Sequence, residues 1–405
     1  MILSERHIIK PSNKHYKDLR YLMYLSKNLY NATLYEIRQY YFENNKYFQY
    51  NDINKKFVSE SNKDYRSLPA QVSQQTMKVV DKNFISFFQS VQKGIKSARI
   101  PKYLDKEGYF ELIYTNQTIS KKHLKEGKIK LAKTNISFNT KQTNIKQVRF
   151  IPRLNYIVME VLYDRPIEKL VSGNNSMGID IGINNLATCI SSEFEHPIII
   201  NGRPVKSINQ YYNKQLSEYK SNKRSKHLIY SLCLKRDNKI NDYFHKATRY
   251  ITNQAVSHNI SLIVIGHNKE WKQDVSTKSK IKDKDTRKRN NQNFVSIPYN
   301  KFINMLKYKC ELVGIKVVET EESYTSKASY LDNDFIPTYG DKDIKQFSGR
   351  RTKRGLYRTS DKTNINADVN GSCNILKKYI VTNEVWNTSK LPDRGCVLQP
   401  VRINF

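Results

Sequence analysis

Residues 177–192, MGIDIGINNLATCISS, set a single acid, Asp180, inside an apolar strand-like run that turns at Gly182 and resumes at Leu186. A carboxylate among such neighbours is costly to bury unless something pairs it. Two further acids stand at comparable places. Glu322 follows the strand-like IKVVE and opens onto SYTSKAS. Asp368 starts NINADVNGSCNILKKYI, where Val369, Cys373, Leu376 and Ile380 recur at helical spacing and Asn366 is placed to cap the helix. Taken singly, each acid is as well explained by a turn cap, a solvated strand end or a helix-start charge. Taken together, at strand ends and a helix start, they suit the gripping of divalent metals beside a phosphodiester.

The order of elements narrows the fold. Strands are expected near 177–182, 186–192 and 197–200, then a long basic helical stretch from 204 to about 258, the strand SLIVIG, a helix over 299–313, the strand GIKVVE and a last helix from 366. That is the element order of an RNase H-like fold, an α/β architecture whose mixed sheet is covered on both faces. The N-terminal half reads as α+β. A helix over 14–42 carries Leu22, Leu25, Leu29 and Ala32, and another over 73–93 carries Met77, Val80, Phe84, Phe87 and Val91. Both stripes point to core packing in a small bundle of about 12–97, inserted in a wedge-like β-barrel domain. From 109 to 165 the texture is β-like, with QVRFIP and YIVMEVLYD around a turn at Pro152–Asn155, and a small β-barrel or twisted sheet fits. The linker-like IEKLVSGNNS over 167–176 sets a boundary between domains 1–166 and 167–405. Two basic stretches, 272–293 and 331–363, lack periodicity and are expected as irregular functional loops.

With 70 Lys and Arg against 37 Asp and Glu, the chain carries a formal charge of +33, and a polyanion is the natural partner. The basic residues are interleaved with Tyr and Phe, as stacking on nucleic acid would use. No apolar run is long enough to span a bilayer, and MILSERHIIK lacks the apolar core of a signal peptide, so a cytoplasmic, nucleoid-associated prokaryotic protein without a membrane partner is expected. The five cysteines, Cys189, Cys233, Cys310, Cys373 and Cys396, include no CxxC pair, which argues against disulfides and structural zinc. No P-loop, Rossmann fingerprint or Ser/His/Asp order stands out.

Hydrolysis of a phosphodiester by two metals needs carboxylates to hold the cations, one activating water and the other stabilising the leaving oxygen. Magnesium favours oxygen ligands and keeps several waters, so two Mg²⁺ ions are expected on Asp180, Glu322 and Asp368, with Mn²⁺ as a substitute. Lys223, Arg224, Lys226, Lys235 and Arg236, together with Arg287, Lys288 and Arg289, are candidates to follow phosphates. Trp271 is a candidate to stack on a base, with core packing at least as good a reading.

GIDIGINNLAT, YTSKAS and NADVNGSCNI resemble the RuvC-like nuclease of TnpB proteins, transposon-encoded RNA-guided DNA endonucleases related to type V CRISPR effectors. SKNLYNATLYEIRQYYF and LPAQVSQQTMKVVDKNFISFF look like that family's recognition lobe, so the resemblance spans essentially the whole chain. It implies that Asp180 is the first acid and Asp368 the third, with a guide RNA from the mobile element and a target DNA beside a short flanking motif as partners. The chain departs from the pattern twice. Gly266, at the end of SLIVIG, stands where the second acid is usual. Glu322, three residues before the Thr325–Ser326 pair, matches a relocated glutamate found in some relatives, with Glu321 as fallback and Glu270 as a weaker rival. The CxxC pairs that often follow the T-S motif are also missing. In their place the segment offers Lys327, Arg350, Arg351, Lys353 and Arg354, read as a metal-free loop near nucleic acid. An RNA-guided DNA endonuclease is therefore expected. The alternative is a nuclease-inactive RNA-guided DNA-binding repressor, and a transposase of the same fold fits the N-terminal half poorly.

Overall fold

The computed structural model describes residues 1–169, 171, 173–267, 291–341, 346–384 and 390–405. Its internal contacts separate two compact units, Met1–Pro166 and Ile167–Phe405.

The first unit begins with β1 (Ile2–Ile9), followed by helices α1 (Tyr16–Asn44), α2 (Tyr50–Ser59), α3 (Lys63–Arg66) and α4 (Ala70–Gln92). Then come β2 (Leu112–Thr115), α5 (Lys121–Lys125), β3 (Lys128–Lys130), β4 (Ser137–Asn139), β5 (Ile145–Pro152) and β6 (Ile157–Asp164). The α1 seam is turned from the expected one. Leu19, Met23, Leu34 and Ile37 are fully buried beside Leu29, whereas Leu22, Leu25 and Ala32 flank the core. On α4, Met77, Val80 and Phe84 go inside, while Val91, near the helix end, stays exposed. Of the barrel or twisted sheet expected here, the structure has the sheet, antiparallel and of order β1-β6-β5-β2, with β3 and β4 as a separate two-stranded pair. β1, whose exposure alternates along ILSERHII, was not read from the sequence. It pairs with β6 along its whole length, from Ile2 opposite Asp164 to Ile9 opposite Ile157.

The second unit is built on β7 (Asn175–Ile181), β8 (Asn185–Ile190), β9 (Ile198–Asn201), β10 (Ile260–Gly266), β11 (Lys316–Thr320) and β15 (Val401–Ile403), in the order β11-β10-β7-β8-β9-β15. β10 runs parallel to both β7 and β11, and β8 is antiparallel to β7 and β9. The C-terminal ends of β7, β9, β10 and β11 therefore share one edge with the start of β8. Helices α6 (Arg203–Ser221), α7 (Lys226–Ser257) and α8 (Tyr299–Leu312) intervene between strands. Met177, Ile179, Ile181, Ile263 and Ile265 pack with residues of α7 and α8 into one core. On the opposite face Ile190, Ile199 and Val264 pack under α9 (Ala367–Thr382), which contributes Val369, Cys373, Leu376 and Ile380. Coverage on both sides explains why the strands read as apolar runs instead of alternating ones.

Two local expectations need correction, and one strand is added. The helical stretch from 204 is broken into two helices at Asn222–Ser225, where Lys223 takes a left-handed backbone conformation. The supposedly irregular 331–363 contributes β12 (Arg350–Lys353) and β13 (Leu356–Arg358), which form a small antiparallel sheet with β14 (Asn364–Asn366). These strands are too short for a period to show. Strand β15 follows a short helix α10 (Arg394–Val397) and pairs with β9. Among the described residues no helix is long and apolar enough to cross a membrane.

Candidate active site

Strand alternation puts Asp180 on the α9 face of β7, one step beyond Gly178. The helix approaches that face closely. Ser372 Oγ donates to the carbonyls of Gly178 and Thr188, each at 2.9 Å, and so ties α9 to β7 and β8 together. At Gly371 a Cβ would stand 2.9 Å from Asp180 Oδ2, so any larger residue there would displace the Asp180 carboxylate. Asn366 caps the helix as expected, its side chain accepting from the amides of Asp368 at 3.0 Å and Val369 at 3.2 Å. The cap holds Asp368 in the first turn above the strand ends. Its carboxylate accepts from Asn185 Nδ2 at 2.6 Å and from Arg351 Nη2 at 3.3 Å.

Glu322 lies just past β11, at the same sheet edge. A Cβ built on Gly266 would meet Ile375 Cδ1 at 2.4 Å and Glu322 Oε2 at 3.2 Å. The space a side chain at 266 would take is thus filled by Ile375 and by the Glu322 carboxylate. Glu321 turns elsewhere, to an ion pair with Lys378 and a 2.7 Å bond from the Ser323 amide.

The charges of two of the acids act on the third. Burial, then the negative charges of Asp368 and Glu322, push the Asp180 carboxyl well above the usual carboxylate range, with Arg351 acting the other way. Burial and the Glu321 charge push Glu322 up to about 7. At Glu321 burial also acts upward, but the bonds from Lys378 and Ser323 outweigh it and its pKa is lowered.

The loop carrying Glu322 is held by residues that the apolar stripe of α9 concealed. Asn374 Nδ2 donates to the carbonyls of Thr325 at 2.9 Å and Ala328 at 2.7 Å. Asn370 Nδ2 donates to Ala328 O at 2.8 Å, and Asn370 Oδ1 accepts from the Tyr330 amide. Thr325 Oγ1 closes onto Glu322 O at 2.8 Å. Lys377 reaches Asn333 and Asp334, and Lys378 reaches Ser323 O and Pro337 O. The sequence signal was present as a second, polar stripe at 370, 374 and 377–378 on the same helix.

The donor set suits a hard divalent cation: it is all oxygen and strained by like charge. Asp180, Glu322 and Asp368 are the residues that would hold it. Among the described residues no group of three or more His, Cys, Asp or Glu is drawn together closely enough to hold a metal ion, so the three carboxylates would have to close on one.

Of the basic candidates, Lys223, Arg224, Lys226, Lys235, Lys327, Arg350, Arg351, Lys353 and Arg354 are exposed. Arg236 is engaged within the protein, donating to Asn209 Oδ1 at 2.7 Å and Ser296 O at 2.8 Å beside the Tyr212 ring. Arg351 is the one drawn into the carboxylate cluster. Glu270, Trp271, Arg287, Lys288 and Arg289 lie outside the described residues.

Two known families match separate stretches of the chain. OrfB_IS605, described as "Probable transposase", matches residues 156–272, and the Cas12f1-like TNB domain matches 299–375. The curated CRISPR-associated endodeoxyribonuclease Cas12f2 of a Micrarchaeota archaeon (strain CG1_02_47_40) is 26% identical over 245 residues, which cover 57% of this chain and 41% of that protein's length. The match thus spans less than half of that relative. A solved Cas12f1-sgRNA-target DNA complex contains a chain of similar fold, with a TM-score of 0.53 at 14% identity, covering 89% of this chain and 82% of the other. Sequence motifs, family matches and fold point the same way, and the chain is similar to TnpB-like proteins and type V effectors.

Proposed function

We propose that the chain is an RNA-guided DNA endonuclease of a mobile element, cleaving target DNA next to a short flanking motif by two-metal phosphodiester hydrolysis. In this reading 167–405 is an RNase H-like (RuvC) nuclease domain and 1–166 the recognition half. The observation that carries it is the seating of the Glu322 carboxylate against Gly266, within the electrostatic reach of Asp180 and beside the α9 that bears Asp368. The acid missing from β10 is replaced from the neighbouring strand end, and the replacement argues for a working site.

Divalent metal bound by the three carboxylates would supply an activated water and offset charge on the leaving oxygen. The rest is the work of this chain's own groups. Asn185 orients the Asp368 carboxylate. Arg351 offsets negative charge at the cluster and is exposed enough to meet a phosphate. The formal charge of +33 supports binding to nucleic-acid backbones. The solved complex of similar fold holds a guide RNA and target DNA, which supports these two partners for this chain.

The test is cleavage of a guide-matched plasmid by the protein purified with its RNA. Asp180→Asn is expected to keep a defined RNA and lose cleavage by on the order of a thousandfold. Recovery of only heterogeneous RNA, or full cutting by this variant, would overturn the reading. The vacancy of a carboxylate at Gly266 favours the repressor alternative, which prevails should the unmutated protein bind its target and never cut.

A further inference from the structure

Helix α7 is longer than the sheet it covers. Its C-terminal end leads through His258 and Asn259 into β10, which starts at the edge opposite the carboxylates. At the carboxylate edge, the Tyr243 hydroxyl donates to the carbonyl of Asn201, and Asn201 lies opposite Asn185, the residue bonded to Asp368. From Tyr243 to Ser257 the helix covers roughly 21 Å at ~1.5 Å per residue. That is close to the roughly 23 Å of a seven-residue strand. The stretch from Tyr243 back to Lys226, roughly 25 Å at the same rise, therefore overhangs the edge where the three acids sit.

Helix α6 runs antiparallel beside it. Arg236 bonds Asn209, and Tyr212 Oη lies 3.2 Å from Cys233 Sγ. Only Val205 and Asn209 of α6 are buried, and Lys220 to Leu228 are exposed throughout. Residues 203–257 hold twelve Lys and Arg against three Asp and Glu. Between the two helices is a cleft of about 530 Å³ lined by Tyr211, Tyr212, Tyr219, Leu228, Lys235 and Lys239 among others. Tyr211 is 61% exposed at its mouth. Aromatic faces beside lysines fit an unpaired strand bound by stacking and phosphate contact.

We propose that the α6–α7 arm holds single-stranded DNA against the carboxylate edge, delivering the strand to be cut. This rests on the nuclease reading of that edge.

The experiment uses the full chain with its copurified RNA, Tyr211 being replaced by p-benzoylphenylalanine and a dye-labelled oligothymidylate added. Irradiation is expected to give a protein–oligothymidylate adduct. Lys235→Glu with Lys239→Glu, both on the exposed side of α7, should lower its yield at least tenfold with an unchanged melting temperature, while Lys→Arg at both positions restores it. An adduct to the copurified RNA or to a second protein chain, or a yield indifferent to charge reversal, would overturn the proposal. Plasmid cutting by the unmutated protein is scored in the same preparation. Normal cutting with no oligothymidylate adduct overturns the arm alone, and absence of cutting overturns the nuclease reading together with it.

Discussion

The carboxylate of Glu322 rests against the backbone of Gly266, with Oε2 3.2 Å from the place a Cβ on that glycine would take. β10 ends in glycine at this edge, and the acid proposed to serve there stands just past the end of the neighbouring β11. With glycine at 266, Ile375 packs down on the strand end beside that carboxylate.

Glu322→Gln is therefore expected to reduce plasmid cleavage by on the order of a thousandfold, because the amide keeps the shape and loses the charge. Glu321→Gln should behave differently. It removes the negative charge facing Lys378, whose side chain is only 5% exposed and keeps just the carbonyls of Ser323 and Pro337, so it should cost about 1.5–3 kcal/mol of stability, the range for a hydrogen bond to a charged group. Thermal melts and cleavage rates of the two variants separate these outcomes. Equal loss of cutting with equal stability would sink the distinction.

The same burial predicts a pH dependence. In the folded protein Glu322 titrates at about 7, above its ordinary 4.5, so the folded state binds the extra proton. Its contribution to stability is complete below about 4.5 and is lost as pH rises to about 7. Without metal, the melting temperature of the unmutated protein should fall relative to Glu322→Gln across that window. Added magnesium, which binds the ionised form, should close the gap at pH 8. Parallel curves for the two proteins would show that Glu322 does not carry this proton.

Arg351 partly neutralises the cluster through Asp368 and, at longer range, Asp180. A cation entering the site competes with that guanidinium. Arg351→Ala should shift the magnesium midpoint of thermal stabilisation to a concentration about two- to fivefold lower, as expected for an exposed pair of ~0.5–1 kcal/mol. An unchanged or higher midpoint would mean that Arg351 and the metal do not compete.

The strands and helices that frame the site could be read from the sequence because both sheet faces are covered, so each strand is a short apolar run punctuated by Gly or Asn. Asp180 was conspicuous for the same reason, as was Asn366 as a cap. What could not be read was set by partners distant in sequence. β1 alternates like a surface strand until its pairing with β6 is known. β12 to β14 are too short to show a period, and the pairing of Arg351 with Asp368, seventeen positions on, shows only once β12 is formed. The side on which Glu321 and Glu322 each fall was equally hidden. It is decided by Lys378 and by the gap at Gly266, both remote from those glutamates in the chain.

Asn374 tests whether the site depends on that hidden support. Its Nδ2 is shared by the carbonyls of Thr325 and Ala328, and Thr325 in turn bonds the carbonyl of Glu322. Asn374→Ala leaves the buried Thr325 carbonyl without its side-chain donor, while Ala328 O keeps that of Asn370, which should cost about 1–3 kcal/mol. It also frees the loop that presents Glu322, so cleavage should fall about 10–100-fold, the range seen when groups supporting a metal ligand are removed. The loss should be partly recovered at high magnesium, because the carboxylate is still present and only its position has become less certain. Glu322→Gln has no carboxylate to recover and should stay inactive at any magnesium concentration. Cleavage by Asn374→Ala that is unaffected, or lost beyond rescue by magnesium, would show that α9 supports the fold without positioning Glu322.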